Sequence, residues 1–139
     1  MRLSTKGRYG VKAMYDIAAY SGEKRPVSIK SIAERQQIPE QYLEQLMTGL
    51  RRGGLVKSMR GARGGYTLSR DAAQITIGEI IRAVDEPVSP VECDEDSCPK
   101  YSDCVTKNLW QRVAGGISDV IDTETLQDLL DENKQSLSR

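Results

Sequence analysis

Three cysteines, Cys93, Cys98 and Cys104, are the residues of this sequence best suited to chemistry, and they lie in an acidic segment of a chain without histidine. Cysteine thiolates bind soft metals and iron-sulfur clusters, whereas an isolated buried cysteine only fills space. An odd number of cysteines also argues against a disulfide framework and for a metal, a cluster or a redox-active thiol. We interpret the segment as a sensor site.

The spacing of the cysteines narrows the chemistry without deciding it. Four residues separate Cys93 from Cys98, and five separate Cys98 from Cys104. Zinc sites more often contain close Cys-x-x-Cys pairs, and three protein ligands leave a fourth position to be filled. A 2Fe-2S or 4Fe-4S cluster tolerates irregular spacing and an unusual fourth ligand. An iron-sulfur cluster is therefore expected, while a zinc site and three thiols without a cofactor stay open as alternatives.

Two kinds of element must position these thiols. Residues 85–106 form a predicted loop, because three prolines and seven carboxylates interrupt any helical pattern between residues 85 and 104. Residues 107–139 then predict a long amphipathic helix and a short terminal helix that opens with a capping box at Thr125. The long helix has more apolar surface than a monomer needs, so we expect two chains to pair through it as a homodimer. Packing of the helix on its own domain is the alternative.

The formal charge is divided unevenly along the chain. Residues 1–70 contain 14 Lys and Arg against 5 Asp and Glu, or +9, and residues 71–139 contain 6 against 15, or −9. Clustered cations suit a surface that contacts nucleic acid phosphates. A solvated surface with accidental clustering is the alternative from charge alone.

Residues 1–84 predict a winged helix-turn-helix domain. Helical patterns run from about Gly7 to Tyr20, from Ser28 to Arg35, and onward to about Arg52, and the last two are joined by a tight turn. A glycine-rich turn between two short strands follows, and a capping box at Thr76 opens a further helix. The expected fold class is mainly α with a small β-wing, followed by the long dimerisation helix.

Candidate DNA contacts lie on the third helix and on the wing. Glutamine can read adenine and glutamate can accept from cytosine, while arginine suits the backbone or a narrow minor groove. The wing lacks the lysine of a nucleotide-binding GxxxxGK[ST] loop, which makes an ATP or GTP site a poor alternative. The predicted DNA-binding residues are Gln41, Glu44, Gln45, Arg60, Arg63, Lys6 and Arg51.

Other function classes are not favoured by the sequence. No apolar run approaches the roughly 20 residues of a membrane span, and the first residues contain no hydrophobic signal region. No nucleophile-base pair is visible and histidine is absent, so we expect a cytoplasmic protein that is not an enzyme.

Four sequence motifs resemble the Rrf-two family of bacterial winged-helix regulators. They are MRLSTKGRYG at the start, YLEQL from Tyr42, GLVKSMRGARGGY from Gly54, and IGEII from Ile77. The resemblance implies a homodimer that binds a palindromic operator in double-stranded DNA. It also implies that Arg60 enters the minor groove and that Gln41, Glu44 and Gln45 face base edges.

Within that family, the three cysteines followed by Leu109-Trp110 resemble the regulators of iron-sulfur cluster assembly, which implies a 2Fe-2S cluster. Nitric-oxide sensors of the family hold a 4Fe-4S cluster, and cysteine-metabolism repressors lack the triad and depend on an enzyme of cysteine synthesis. A partner from iron-sulfur assembly or cysteine synthesis is therefore also expected.

The resemblance departs at the fourth cluster ligand. The cluster-assembly regulators have a histidine three residues after the last cysteine, where this chain has Lys107. The nitric-oxide sensors use an acidic residue from the partner's first helix, where this chain has Arg8, with Lys12 nearby. Asn108, a carboxylate such as Asp103 or Asp94, and solvent remain as candidates.

Overall fold

The computed structural model describes residues 3–85 and 98–134. In that part of the chain, six α-helices and a short 3-10 helix accompany one two-stranded antiparallel sheet. The helices are α1 (Thr5–Tyr20), α2 (Ile29–Gln36), α3 (Glu40–Arg52), α4 (Ile77–Val84), α5 (Lys107–Thr123) and α6 (Leu126–Glu132); the strands are β1 (Val56–Met59) and β2 (Gly65–Leu68); the 3-10 helix is Ala72–Gln74. The expected mainly helical fold with a small wing is confirmed.

Helices α2 and α3 form the predicted helix-turn-helix. The Ser28 side chain accepts a hydrogen bond from the Ser31 N–H at the start of α2, as expected of a cap. Gln37 ends α2 in the left-handed conformation, with φ of 56°. Pro39 immediately precedes α3, and one face of α3 buries Leu43, Leu46, Met47 and Leu50. The opposite face of α3 therefore points toward solvent.

The wing is attached to the rest of the domain along one edge. Val56 pairs with Leu68 and Met59 pairs with Gly65 in the β1–β2 hairpin. On the other edge of β2, the Tyr66 N–H donates to the Val27 carbonyl at 2.8 Å, and the Val27 N–H donates back at 3.0 Å. A Cβ at Gly65 would collide with that carbonyl, so only glycine permits this approach. The wing base is thus fixed beside α2.

Helix α4 packs at the centre of the domain. Its Val84 side chain lies 3.0 Å from the position of a Cβ on Gly10 of α1, and its Ala83 carbonyl lies 2.6 Å from the corresponding position on Gly49 of α3. These glycines let α4 approach both helices more closely than any larger residue would allow. Movement of α3 relative to α4 would therefore lose packing contacts in the core.

Helix α6 folds back onto the N-terminal helices. Its Leu126 is fully buried in the same core as α1, and its N–H donates to the Ile75 carbonyl at 2.8 Å. The predicted capping boxes of α4 and α6 are both complete, at Thr76 with Glu79 and at Thr125 with Asp128. The division into residues 1–84, 85–106 and 107–139 stays a prediction, although α6 shares the core of the first unit.

Helix α5 is the exception to this packing, because none of its residues is buried. Leu109 is 42% and Val120 is 64% exposed, and among residues 3–85 and 98–134 no atom beyond the adjacent backbone of α5 lies within 4 Å of a Cβ built on Gly115 or Gly116. The predicted amphipathic helix is therefore present, with its apolar stripe uncovered in a single chain. Within the described residues, no helix combines the length and hydropathy needed to cross a membrane.

Candidate DNA-binding surface and thiol site

The outward face of α3 displays polar side chains. Gln41, Glu44 and Gln45 are all exposed, while the neighbouring Leu43 and Leu46 are buried. The Thr48 hydroxyl donates to the Glu44 backbone carbonyl at 3.0 Å and is thereby occupied within the helix. The structure thus leaves two amides and one carboxylate, the groups that read base edges, on one surface of the second helix of the helix-turn-helix.

The start of α1 lies next to that face. Lys6 and Gln45 line one small hollow, together with Tyr42. The Tyr42 ring meets the Tyr9 ring edge to face, with centroids 5.5 Å apart, and this contact fixes α1 against α3. The cation of Lys6 and the amide of Gln45 are therefore brought together from two separate helices.

The remaining predicted cations lie at the end of α3 and on the wing. Arg51, Arg60 and Arg63 are exposed. In residues 3–85 and 98–134, the recorded ion pairs involve other cations, so Lys6 and these three arginines have no carboxylate partner there. Uncompensated guanidinium groups on a projecting hairpin suit phosphate or minor-groove contacts.

The thiol site is described in part. Cys98 and Cys104 are half-buried free thiols, and Cys93 lies outside the described residues, as does Asp94. Between the two thiols the chain makes consecutive turns, in which the Tyr101 N–H donates to the Cys98 carbonyl at 3.1 Å. The Lys107 N–H donates to the Cys104 carbonyl at 3.3 Å, so Cys104 is attached directly to the first turn of α5.

The Thr106 side chain contacts the Cys104 thiol and is itself contacted by Trp110 of α5. The Cys104 Sγ lies 3.3 Å from the Thr106 Oγ1, which also accepts a hydrogen bond from the Trp110 Nε1–H at 3.1 Å. Hydrogen bonds from the Thr106 hydroxyl and backbone lower the pKa of the Cys104 thiol from its ordinary value, with smaller contributions from Lys107. The environment favours the thiolate, which is the form that ligates metals.

The Lys107 ammonium has an aromatic neighbour. Its Nζ lies 4.8 Å from the centroid of the Tyr101 ring, and the Tyr101 hydroxyl accepts a hydrogen bond from Gln111 at 3.4 Å. This cation-π contact and hydrogen bond hold the turn against α5. Lys107 therefore has a structural partner at the position where a histidine ligand was expected from the resemblance.

The donor set fits a thiolate-bound group only with Cys93 included. In the described ranges, no three His, Cys, Asp or Glu side chains are grouped closely enough to hold a metal ion. Cys98 and Cys104 contribute soft sulfur donors, and the pKa of Cys104 is shifted toward the thiolate. Soft donors of this kind suit iron-sulfur clusters or zinc rather than magnesium or calcium.

Sequence reasoning missed the side chains that organise the turn. Thr106 and Tyr101 were not predicted to have a role, although Thr106 precedes Trp110 by four residues, which is helical spacing. The attachment of the wing to Val27 was also missed, because an isolated bridge of one residue pair leaves no periodic signal.

Comparison with known proteins agrees with this architecture. The sequence profile of the Rrf2 family, described as iron-dependent transcriptional regulators, matches residues 3–132. The regulator CymR of Bacillus subtilis is 47% identical over 129 residues, which cover 93% of this chain and 89% of CymR. IscR of Vibrio vulnificus is 44% identical over 135 residues, covering 96% and 80%.

A solved structure gives the same result. The structure of T. potens IscR is 46% identical and superimposes with a TM-score of 0.79, covering 98% of this chain and 90% of that one. A profile that matches nearly the whole chain, and relatives above 40% identity over most of their length, establish the relationship. This chain belongs to the Rrf2 family of winged-helix transcriptional regulators.

Proposed function

We propose that this regulator binds a palindromic operator as a homodimer, and that its DNA binding changes when an iron-sulfur cluster held by Cys93, Cys98 and Cys104 is gained, lost or oxidised. One observation carries the proposal. Cys104 is attached to the first turn of α5, and the last turn of α5 is bonded to the DNA-binding domain through Asp122 and Arg82. One helix thus connects the thiols to the domain that binds DNA.

The DNA contacts in this proposal follow from the exposed face of α3 and from the wing. Gln41, Glu44 and Gln45 face base edges in the major groove, and Arg60 enters the minor groove. Arg63, Lys6 and Arg51 contact phosphates. All seven side chains are exposed, which supports these contacts. In the described ranges the ion pairs involve other cations, so the four proposed cations have no carboxylate partner there.

The homodimer in this proposal forms along α5. Leu109, Val113, Ile117 and Val120 recur at helical spacing on a helix that has no fully buried residue, and Leu109 and Val120 are exposed. Two copies paired through this stripe would present two α3 helices, and a palindromic site is read by two such helices. The open space around Gly115 and Gly116 allows close approach of a second helix.

The chain's own residues supply the link between thiols and DNA. A cluster, when bound, supplies an iron- and redox-dependent crosslink among the three cysteines. The turn from Cys98 to Thr106 then has fewer accessible conformations, which biases the start of α5. Because α5 is bonded to α4 and α4 is packed against α3, a ligand that favours one arrangement of α5 shifts the population of α3 positions.

Anaerobic purification followed by ultraviolet-visible and Mössbauer spectroscopy tests the cluster. Wild type should be coloured, and the spectrum should assign a 2Fe-2S cluster in preference to 4Fe-4S. Triple Cys→Ser protein should stay dimeric and lose the visible absorbance. Colourless wild type, or an absorbance that survives in the triple variant, would reject the cluster.

A second candidate is a repressor controlled by a protein partner, and a specific observation favours it. The CymR relative is as similar as the IscR relative, and Lys107 is engaged with Tyr101 instead of offering a ligand. In this alternative, binding of an enzyme of cysteine synthesis to a cluster-free dimer would control operator affinity.

Titration of cluster-free dimer with a purified cysteine-synthesis enzyme separates the two candidates. If the enzyme raises operator affinity strongly, and by the same factor in wild type and in the triple Cys→Ser protein, the partner-controlled repressor is favoured. Elemental analysis of the same preparation tests the remaining alternative, since stoichiometric zinc without iron or sulfide would indicate a thiol-zinc regulator.

A further inference from the structure

Thr106 precedes α5, but its side chain does not cap that helix. Ser4, Ser28, Thr76 and Thr125 each precede a helix, and each side chain accepts a hydrogen bond from a backbone N–H of that helix. Thr106 is the residue that precedes α5, and its side chain makes no such bond. Its hydroxyl instead contacts the Cys104 Sγ and the Trp110 indole.

Chemistry fixes the direction of both hydrogen bonds once Cys104 acts as a ligand. The indole Nε1–H can only donate, so Thr106 is the acceptor of that bond. A ligating cysteine is a thiolate and has no proton, so only the Thr106 hydroxyl can donate across the 3.3 Å between Oγ1 and Sγ. Trp110, Thr106 and Cys104 therefore form a chain of hydrogen bonds that ends on the sulfur.

We propose that Thr106 is a positioning residue that donates a hydrogen bond to the ligating sulfur of Cys104 and thereby raises the reduction potential of the bound cluster. The inference rests on the proposed cluster function. One-electron reduction adds negative charge to the cluster and its sulfur ligands without forming or breaking a bond. A donor aimed at one of these sulfurs stabilises the reduced form more than the oxidised form.

Trp110 has a supporting part in this arrangement. Its Nε1–H donates to the Thr106 oxygen at 3.1 Å, which polarises the hydroxyl and strengthens the bond that the hydroxyl donates onward. The indole also restricts the rotation of Thr106, because losing that contact would leave a half-buried donor without its partner. Both effects point the hydroxyl proton at Cys104.

The test is a dithionite titration of anaerobically reconstituted, full-length dimer with redox mediators, carried out on four proteins: wild type, Thr106→Val, Thr106→Ser and Trp110→Phe. Valine keeps the shape of threonine and removes the hydroxyl, so Thr106→Val should shift the midpoint potential to a more negative value. Thr106→Ser should retain the wild-type potential, and Trp110→Phe should shift it in the same direction by less.

The outcomes separate this inference from the function on which it rests. A Thr106→Val protein with full iron content and an unchanged potential would overturn the inference and leave the cluster function standing. A wild-type protein that incorporates no iron and sulfide would overturn both. If Thr106→Val stays a folded dimer but loses its cluster while Thr106→Ser keeps it, the hydroxyl contact is supported. If Thr106→Val does not fold, the potential of Trp110→Phe decides.

Discussion

Arg82 of α4 donates a hydrogen bond to the Asp122 carboxylate of α5 at 2.6 Å, and this ion pair joins the DNA-binding domain to the uncovered helix. The carboxylate lies where a Cβ on Gly78 would be, so α5 approaches α4 at a residue without a side chain. The Ile77 N–H adds a backbone bond to the Glu124 carbonyl at 2.9 Å. The end of α5 is therefore held by both side-chain and backbone contacts.

A Cβ at Gly78 should displace the Asp122 carboxylate, and this gives the first prediction. In wild type, Gly78→Ala should stabilise the protein less than it does when Asp122 is absent, because the exposed Asp122 side chain must rotate away from the new methyl group and lose its pair with Arg82. In an Asp122→Ala background the collision is gone, and the same substitution should stabilise α4 by up to about 1 kcal/mol through helix propensity. Urea unfolding of the four proteins measures the difference, and equal effects in both backgrounds would contradict the geometry.

Gly49 gives a second prediction, because its obstacle is backbone. A Cβ there would lie 2.6 Å from the Ala83 carbonyl oxygen, which cannot rotate away. Gly49→Ala should therefore destabilise the domain by about 1–3 kcal/mol and displace α3 from α4. Operator affinity should also fall under conditions in which the variant is fully folded, because α3 is displaced. Gly22→Ala is the matched control, because a Cβ on Gly22 would have its nearest neighbour 3.9 Å away, at Arg25.

The sequence predicted the elements more completely than their contacts. The Thr76 and Thr125 capping boxes are local signals, since both partners lie within three residues of each other, and both are observed. Distant approaches such as Gly49 to Ala83 depend on how α3 and α4 pack, and no spacing in the sequence encodes them. The same reason explains the candidate site: the exposed residues of α3 were predictable from the helical period, whereas the contact of Thr106 with Cys104 depends on how the turn before α5 folds.

The uncovered stripe of α5 leads to a third prediction. Val120 is 64% exposed and contributes little to the fold of a single chain, so Val120→Lys should leave the unfolding of the monomer almost unchanged. In a dimer through α5, two buried ammonium groups would face each other and weaken association strongly. Sedimentation velocity across a concentration series measures the effect. Asp119→Lys, also on α5 and exposed, is the matched control; a Val120→Lys dimer as tight as wild type would exclude this interface.

Glu79 provides a pH-dependent prediction. The hydrogen bond from Arg70, and then the bond from the Thr76 backbone, hold the pKa of Glu79 below its ordinary value. A lowered pKa in the folded state means that this carboxylate stabilises the fold above the unfolded pKa of about 4.3. That contribution is lost as the pH falls through the lower, folded pKa.

Urea midpoints between pH 7 and pH 3 test this sign. Glu79→Gln should lower the midpoint near neutral pH, and its difference from wild type should shrink as acid protonates the wild-type carboxylate. Glu132→Gln, an exposed residue near the end of α6, should follow wild type throughout. Parallel curves for wild type and Glu79→Gln would show that the charge of Glu79 contributes nothing.

The proposed DNA contacts differ in how they should respond to salt and sequence. Arg63→Ala removes a phosphate contact, so operator affinity should fall and the slope of log affinity against log salt should decrease by about 0.9. Glu44→Ala removes a base-reading group, so the salt slope should stay the same while discrimination at one base pair weakens, by about 1–3 kcal/mol for a good contact. Lys134→Ala controls for charge, because the Lys134 side chain lies just after α6, is 77% exposed and pairs with Asp131. Fluorescence anisotropy across a salt series, with single-base operator variants, measures both quantities. An Arg63→Ala protein with the wild-type slope would remove Arg63 from the phosphate contacts, whereas a Glu44→Ala protein with unchanged discrimination would place base reading on Gln41 and Gln45.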